Sequence, residues 1–404
     1  MLNENAIDDL IKPIVERQES INTYVLKTIA QKIKNIGELS AYDLKRMQTL
    51  VDYGTDIREM NKEIARLSGL QVRDVKKLLK TVAIDTHTDA KSLYDYRRRS
   101  FIPYNKNAKL QKIVNAVSRR TDETFVNLSK SKATGFMIRD LKNPRKLKFQ
   151  TIDKTYKSVI DEAVQASKSG VIDYRTAMRR TIKQLSDSGI RRITWESGYT
   201  QRLDTVVRRN LLEGIRALNQ EIEDMIGEEI GADGKELSVH ANCALDHEPF
   251  QGHQFTNEEF ERLQTNQSFK DVNGQTFLAV DRVIGQYNCR HIAHSIIVGV
   301  TEPKYTLKQL DKFIQKNHAG YTLPNGKHLT MYECTQMQRQ LETRIRYAKD
   351  EQMAFQEAGD IERARKARQK VIRLTDEYKM FSKACGLRVQ NDRASVAGYR
   401  AIKS

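Results

Sequence analysis

The sequence predicts a mainly α-helical protein with a small α+β module, and three observations support this fold class. The chain has only 6 Pro and 20 Gly in 404 residues, so few residues interrupt helices. Charged residues make up 30 % of the chain, which favours solvated helix surfaces over one large apolar core. Short runs rich in β-branched residues occur in one region, residues 235–305. We therefore expect an N-terminal helical bundle, a central α+β module and a C-terminal antiparallel helical hairpin.

Residues 1–93 are predicted to form the helical bundle. In one of its segments the apolar residues recur at a spacing of three or four, which places them on one helix face: Val72, Val75, Leu78, Leu79 and Val82. Residues 94–150 have weaker periodicity and contain Pro103 and Pro144. We predict a basic connecting arm there.

The basic charge of the chain is concentrated in and around this arm. Residues 101–150 carry a net charge of +9, whereas residues 221–250 carry −8. Lys and Arg mixed with Tyr and Phe can contact phosphates by charge and bases by stacking. The alternative for such a run is a solvated helix face. The candidate nucleic-acid contacts are Arg97, Arg98, Arg99, Lys106 and Lys109.

Residues 151–234 are predicted to be a helical segment, in which Gly170, Gly189 and either Gly227 or Gly231 follow amphipathic stretches. Glycine at these positions is typical of helix ends, because it adopts the left-handed conformation without strain. Residues 235–305 form the predicted α+β module. Residues 306–404 contain two periodic helices joined near Gly359, which predicts a hairpin with arms of about 30–40 Å, followed by a tail.

Five of the eight histidines and two of the four cysteines lie within the predicted module: His240, Cys243, His247, His253, Cys289, His291 and His294. A structural zinc site is one interpretation, with His240, His247, Cys289 and His291 as candidate ligands. A second interpretation is catalysis, with His240 or His247 as a general base. The third is a polar core without metal or cofactor, in which these side chains bond to the backbone. The polar core is favoured, because no CxxC pair occurs and no complete catalytic set can be assigned.

The sequence excludes other broad classes of protein. No apolar stretch reaches the 18–20 residues or so that cross a bilayer, and the N-terminus is acidic where a signal peptide is basic. We expect no membrane partner. Four cysteines do not make a disulfide framework, so a reducing cytoplasm is the expected site of synthesis.

Several motifs resemble, in the right order, a known family: the phage minor capsid proteins of the second type, related more loosely to the Mu F-like and SPP1-type head-morphogenesis proteins. The motifs are Asp173-Tyr174, Glu196-Ser197-Gly198, Val206-Val207-Arg208, SVHANCALDHEPFQG, Tyr287-Asn288-Cys289-Arg290-His291 and Gly299-Val300-Thr301-Glu302-Pro303. The core of the resemblance consists of Ser238, His240, Asp246, His247, Gln251, Gly252, Asn288, Cys289, Arg290 and His291.

The resemblance implies a non-enzymatic structural component of a tailed-phage virion that acts in head morphogenesis. Its partners would be the portal protein, the capsid shell proteins and packaged double-stranded DNA. Its place would be the capsid interior near the portal, after synthesis in the host cytoplasm. The alternative function is a metal-dependent nuclease, or another nucleic-acid-modifying enzyme, centred on the histidine and cysteine cluster.

Overall fold

The computed structural model describes residues 4–38, 52–122, 132–139, 146–169, 174–193, 199–264, 269–270, 276–277, 283–285 and 289–402. Helices dominate these ranges, and the strands form a few small antiparallel sheets. The predicted fold class, mainly α with a small α+β module, is confirmed. Gly170 and Asn288 lie outside the described residues.

The N-terminal part consists of α1 (Glu4–Glu38), α2 (Tyr53–Asp89) and α3 (Lys91–Tyr96). Helix α1 is the central helix of the main core, and its isoleucines, such as Ile14, Ile29 and Ile33, are almost fully buried. The α2 stripe predicted from sequence is buried at Val75, Leu79 and their neighbours. Amphipathic spacing therefore places these helices correctly.

The segment expected to be a connecting arm contains regular structure: α4 (Ala108–Asp122), β1 (Thr134–Arg139) and β2 (Leu147–Thr151). Leu110, Val114 and Val117 lie at helical spacing and are buried in the main core, where α4 packs against the long helix α7 (Leu203–Ile230). Three buried apolar residues on one face are enough to hold a helix whose other faces are strongly charged.

The next elements complete the main core. They are α5 (Ile152–Ser169), α6 (Tyr174–Ser188), β3 (Arg191–Ile193), β4 (Thr200–Arg202) and α7. The first four strands form one antiparallel sheet in the order β2-β1-β3-β4. Gly189 follows α6 and Gly231 caps α7, and both have the positive φ expected of glycines that end helices.

The α+β module contains β5 (Gly234–Leu237), β6 (Gln254–Thr256), α8 (Asn257–Gln264), β7 (Phe269–Lys270), β8 (Thr276–Phe277) and β9 (Ala293–Ile296). Strand β5 pairs antiparallel with both β6 and β9. A small core of its own includes Leu237, Phe250, Phe255 and Leu263. The first strand is shorter than its sequence suggests, since it ends at Leu237 and residues 238–243 are irregular.

The C-terminal part starts with α9 (Leu307–Ala319) and the short pair β10 (Tyr321–Thr322) and β11 (His328–Leu329). The predicted hairpin follows as α10 (Met331–Glu357) and α11 (Ile361–Ala384). Its turn is held against α6, because Arg179 Nε donates to Asp360 Oδ2 over 2.5 Å. The chain after α11 returns along α10 and reaches α1, where Thr23 Oγ1 donates to the Ala397 carbonyl.

One hydrophobic core joins the two halves of the chain. It includes residues of α1, α2, α4, α5, α6 and α7, together with Ala354 and Phe355 of α10. Four of the five segments drawn from the sequence, 1–93, 94–150, 151–234 and 306–404, contribute residues to this core, whereas 235–305 has a small core of its own. The division into domains stays a prediction. Among the described residues, no helix combines the length and apolarity needed to cross a lipid bilayer.

Candidate functional site

The α+β module is fixed to the main core through polar side chains of α7. Glu223 Oε2 accepts a hydrogen bond from the Ser295 amide and Glu223 Oε1 lies 3.0 Å from His294 Nδ1. Gln220 accepts from the Ala293 amide over 3.0 Å. Both α7 residues form hydrogen bonds with β9. These bonds fix the position of the strand along the helix. The segment immediately before β9, which carries Cys289 and His291, is thereby positioned as well.

His247, Cys289 and His291 form the closest group of chemically versatile side chains in the module. Cys289 Sγ lies 3.4 Å from His247 Nδ1 and 3.3 Å from His291 Nδ1. All three residues are buried, with exposed fractions of 2 % for His247, 6 % for Cys289 and 5 % for His291. Two loops that are about 40 residues apart in sequence therefore meet here, as the zinc interpretation requires.

A second layer surrounds this group. Asp246 Oδ2 lies 3.7 Å from His247 Nε2, and the buried Cys243 Sγ lies 3.7 Å from His291 Nε2. Burial raises the pKa of the Cys289 thiol, but the hydrogen bond from the His247 ring and those from the Gly285 and His291 amides outweigh it. The net pKa of Cys289 lies below the usual thiol value, which favours the thiolate.

His240 is held apart from the group by other partners. Its Nε2 lies 2.9 Å from the Arg290 carbonyl and 3.2 Å from Ser238 Oγ, although its ring contacts that of His291 edge-on. Gln251 Oε1 accepts from the His240 amide over 3.0 Å. Ser238, His240 and Gln251 thus close the loop that connects β5 to β6.

Gly252 ends this loop with a backbone conformation that requires glycine. Its φ is +75°, and a Cβ added there would lie 2.5 Å from Leu310 Cδ2. Its amide donates to the Leu237 carbonyl over 2.9 Å. A side chain at this position would strain the backbone and displace the Leu310 side chain of α9. Of the core residues of the resemblance that are described, only Arg290 is exposed.

Helix α9 and the start of α10 cover the loop from the other side. Asn317 Nδ2 donates to Glu248 Oε1 over 2.7 Å and to the Cys243 carbonyl over 3.1 Å, while its Oδ1 accepts from the Tyr332 amide. His318 Nε2 lies 2.9 Å from the other Glu248 oxygen. Sequence reasoning missed Asn317, because two of its partners lie about 70 residues away and its helix has ordinary amphipathic spacing.

The structure divides the five candidate nucleic-acid contacts into two groups. Arg97, Arg98, Arg99 and Lys106 are exposed near the end of α3 and in the loop that follows. Lys109, also exposed, forms an ion pair with Glu228 of α7 over 2.8 Å. Arg120 of α4 similarly pairs with Glu221. Part of the basic segment is therefore neutralised by the acidic end of α7.

Comparison with known proteins identifies the family. The family model for phage minor capsid protein 2 matches residues 2–382, almost the whole chain. No curated protein and no solved structure matches significantly. The match includes residues of all three parts of the fold described above, with the histidine and cysteine group, the whole of α10 and all but the last two residues of α11. The chain therefore belongs to the phage minor capsid protein 2 family.

Proposed function

We propose that this phage minor capsid protein takes part in head assembly on the inner side of the shell, beside the portal, and that it contacts packaged DNA. The contact surface is the exposed group Arg97, Arg98, Arg99 and Lys106, called the basic surface below. Family membership supports the virion location. The exposure of four cationic side chains within ten residues supports the DNA contact, and it is the observation on which that part of the proposal depends.

The charges of the basic surface are available to a ligand. Among the described residues, Arg98, Arg99 and Lys106 make no ion pair, in contrast to Lys109. Exposed charges are screened beyond about 8 Å at physiological ionic strength, so binding requires direct contact with phosphates. Such contacts do not depend on base sequence. We expect binding to any duplex, with an affinity that falls steeply as salt rises.

The proposed role includes no covalent step. The side chains that a nuclease would require, His247 and His291, are 2 % and 5 % exposed. A polymeric substrate cannot reach them without opening the module. The histidine and cysteine group therefore supports the module rather than a reaction on nucleic acid.

The DNA contact can be tested by binding at a series of salt concentrations. The variant combines Arg97→Gln, Arg98→Gln and Arg99→Gln, and a control of equal charge combines Lys308→Gln, Lys312→Gln and Lys316→Gln on the exposed face of α9. Each phosphate contact contributes about 0.9 to the slope of log K against log salt. We expect the arginine variant to lose up to about three such steps and the control to lose none. Equal slopes for the two variants would contradict the DNA contact.

The location beside the portal has a separate test. A protein bound to the portal should be present in a fixed ratio to the portal protein, and cross-links from purified heads should join the two. A protein distributed over the shell should instead follow the number of shell subunits. Quantitative mass spectrometry of intact heads distinguishes these outcomes, and a ratio set by the shell would overturn the location while leaving the DNA contact open to its own test.

A further inference from the structure

The distances within the histidine and cysteine group match those between ligands of one zinc ion. Zn–S bonds of about 2.3 Å and Zn–N bonds of about 2.0–2.1 Å place tetrahedral sulfur and nitrogen ligands about 3.6 Å apart. Cys289 Sγ lies 3.4 Å from His247 Nδ1 and 3.3 Å from His291 Nδ1. One ligand atom from each of the three residues lies within 4.8 Å of the other two. Both Sγ–N distances are therefore within a few tenths of an ångström of those expected around one zinc ion.

Each second ring nitrogen lies near an acceptor, although the His247 Nε2–Asp246 contact is of ion-pair length and longer than a hydrogen bond. A histidine that binds metal through one nitrogen usually donates its other N–H to a carboxylate or another acceptor, which fixes the ring orientation. His247 Nε2 faces the Asp246 carboxylate and His291 Nε2 faces Cys243 Sγ, each at 3.7 Å. Both imidazoles therefore direct Nδ1 at the same point and Nε2 at an outer partner.

A polar core without metal accounts less well for this arrangement. In a polar core held by hydrogen bonds, each histidine ring needs only one donor or acceptor nearby. Such a core gives no reason for two rings and one thiol to converge. The environment is also suited to an ion, because burial keeps solvent from competing for the ligands. His240 is outside the convergent set, since its Nε2 is occupied by the Arg290 carbonyl and Ser238 Oγ.

We propose that His247, Cys289 and His291 bind one Zn²⁺ ion that ties the loop after β5 to the segment before β9. Three protein ligands leave one tetrahedral position for a water molecule; catalytic zinc sites share this coordination, but here all three ligands are buried inside the module. Asp246 and Cys243 are positioning residues that act through His247 and His291. The ion would replace part of the apolar core that so small a module lacks.

The first test uses the unmodified protein, purified without chelators, and measures its metal content. We expect about one zinc ion per folded chain. Replacement by Co²⁺ should give the visible bands of tetrahedral cobalt and a near-ultraviolet thiolate-to-cobalt band. Removal of the ion by a chelator should lower the melting temperature, and added zinc should restore it. A folded chain that binds no zinc after reconstitution would overturn the proposal.

Variants then test the ligand set. Cys289→Ser should abolish the thiolate-to-cobalt band and stoichiometric zinc, whereas His240→Ala should retain both as the matched control. Cys243→Ser should keep the ion with about 10–100-fold weaker affinity, the effect of losing an outer partner. If Cys243→Ser loses the thiolate band as completely as Cys289→Ser, or if Cys289→Ser retains it, the assigned ligands are wrong. Circular dichroism of each variant separates loss of zinc from loss of fold.

Discussion

Arg98 has a backbone conformation that arginine does not favour. Its φ is +49°, directly after α3 ends, at a position where glycine is the usual residue. The left-handed conformation costs a residue with a Cβ about 1–2 kcal/mol. Arg98 lies between Arg97 and Arg99 on an exposed surface. Its strained backbone is consistent with a position at which the positive charge is needed, as it is in the proposed DNA contact.

We predict that Arg98→Gly raises the free energy of unfolding by up to about 1 kcal/mol and weakens DNA binding. Stability increases because glycine adopts the positive φ without strain. The increase is reduced because glycine has more conformational freedom in the unfolded chain. Arg99→Gly is the matched control, since its φ is not positive, and it should lower stability. Urea unfolding measures both, and equal stability of the two variants would contradict the argument.

Glu19 is a second residue whose local environment opposes its charge. It is 3 % exposed, and one of its carboxylate oxygens has no hydrogen-bond partner among the described residues. Burial, with a further contribution from the charge of Asp204, raises the pKa of Glu19 to about 8, against the opposing effects of Arg346 and Arg202. The carboxyl group is therefore mostly protonated in the folded protein at neutral pH.

The raised pKa predicts the direction of a pH dependence. Between pH 4.5 and about 8 the folded state binds more protons at Glu19 than the unfolded state, so this residue lowers stability as pH rises, by at most about 1.4 kcal/mol per pH unit. We predict that Glu19→Gln removes this loss and is more stable than the unmodified protein at pH 8. Unfolding at several pH values tests this, with Glu16→Gln on the exposed face of α1 as control. A Glu19→Gln variant with an unchanged pH profile would refute the prediction.

Among the helices and strands, side chains that bridge one element to the next decide how the parts are joined. Helix α4 packs on α7 with apolar residues on one face, and its Lys109 and Arg120 pair with acids of α7 beside that contact. These exposed pairs contribute little stability, about 0–1 kcal/mol each. They reduce the positive charge of α4, whereas the residues of the basic surface are exposed and make no ion pair within the described part of the chain.

Asn317 is the corresponding bridge for the α+β module. We predict that Asn317→Ala lowers the free energy of unfolding by about 2–3 kcal/mol, because the Glu248 carboxylate, the Cys243 carbonyl and the Tyr332 amide each lose a buried partner. The control is Gln315→Ala on the exposed side of α9, which should change stability by less than about 0.5 kcal/mol. Chemical denaturation measures both variants. Similar losses for the two would show that Asn317 has no bridging role.

Across the molecule as a whole, a buried charge network joins the first and last helices of the core. Arg202 donates to Asp350 Oδ2 from both Nη atoms, at 3.1 and 3.2 Å, and to Asp204 Oδ1 through Nε. Asn22 of α1 also donates to Asp350. Residues of α1, β4, α7 and α10 therefore meet in one place, where Arg202 is shared between the neighbouring Asp204 and Asp350 of the second half of the chain.

We predict that Arg202→Met destabilises the protein by about 3–5 kcal/mol, because Asp204 and Asp350 would be left buried without their main cation. Hydrogen exchange should become faster in α1 and α10 together, since both depend on the same network. Arg66→Met removes an exposed, solvent-screened pair with Glu63 and should leave stability almost unchanged. A loss confined to α10, or one as small as that of Arg66→Met, would argue against a shared network.

The fold class, most of the helices and the family can be predicted from the order of the amino acids. Periodic apolar residues indicate which face of a helix is buried, and Gly189 and Gly231 mark helix ends, because these are local properties of the chain. The motif residues of the α+β module also identified the family without knowledge of the fold. The same local rules missed α4, since its apolar residues are few and its charges many.

Only the folded structure shows which residues that are distant in sequence come into contact. Folding gives the His240 ring nitrogen partners outside the group of His247, Cys289 and His291, brings further side chains around that group, and pairs Lys109 with an acid of α7. In α7, Asn219 and Glu223 continue the apolar spacing with polar side chains, a sign of buried polar contacts that does not name their partners. The spacing of residues in the sequence indicates which face of a helix or strand is buried. Which side chains converge depends instead on how the helices and strands pack against one another, and that packing is determined by the whole core.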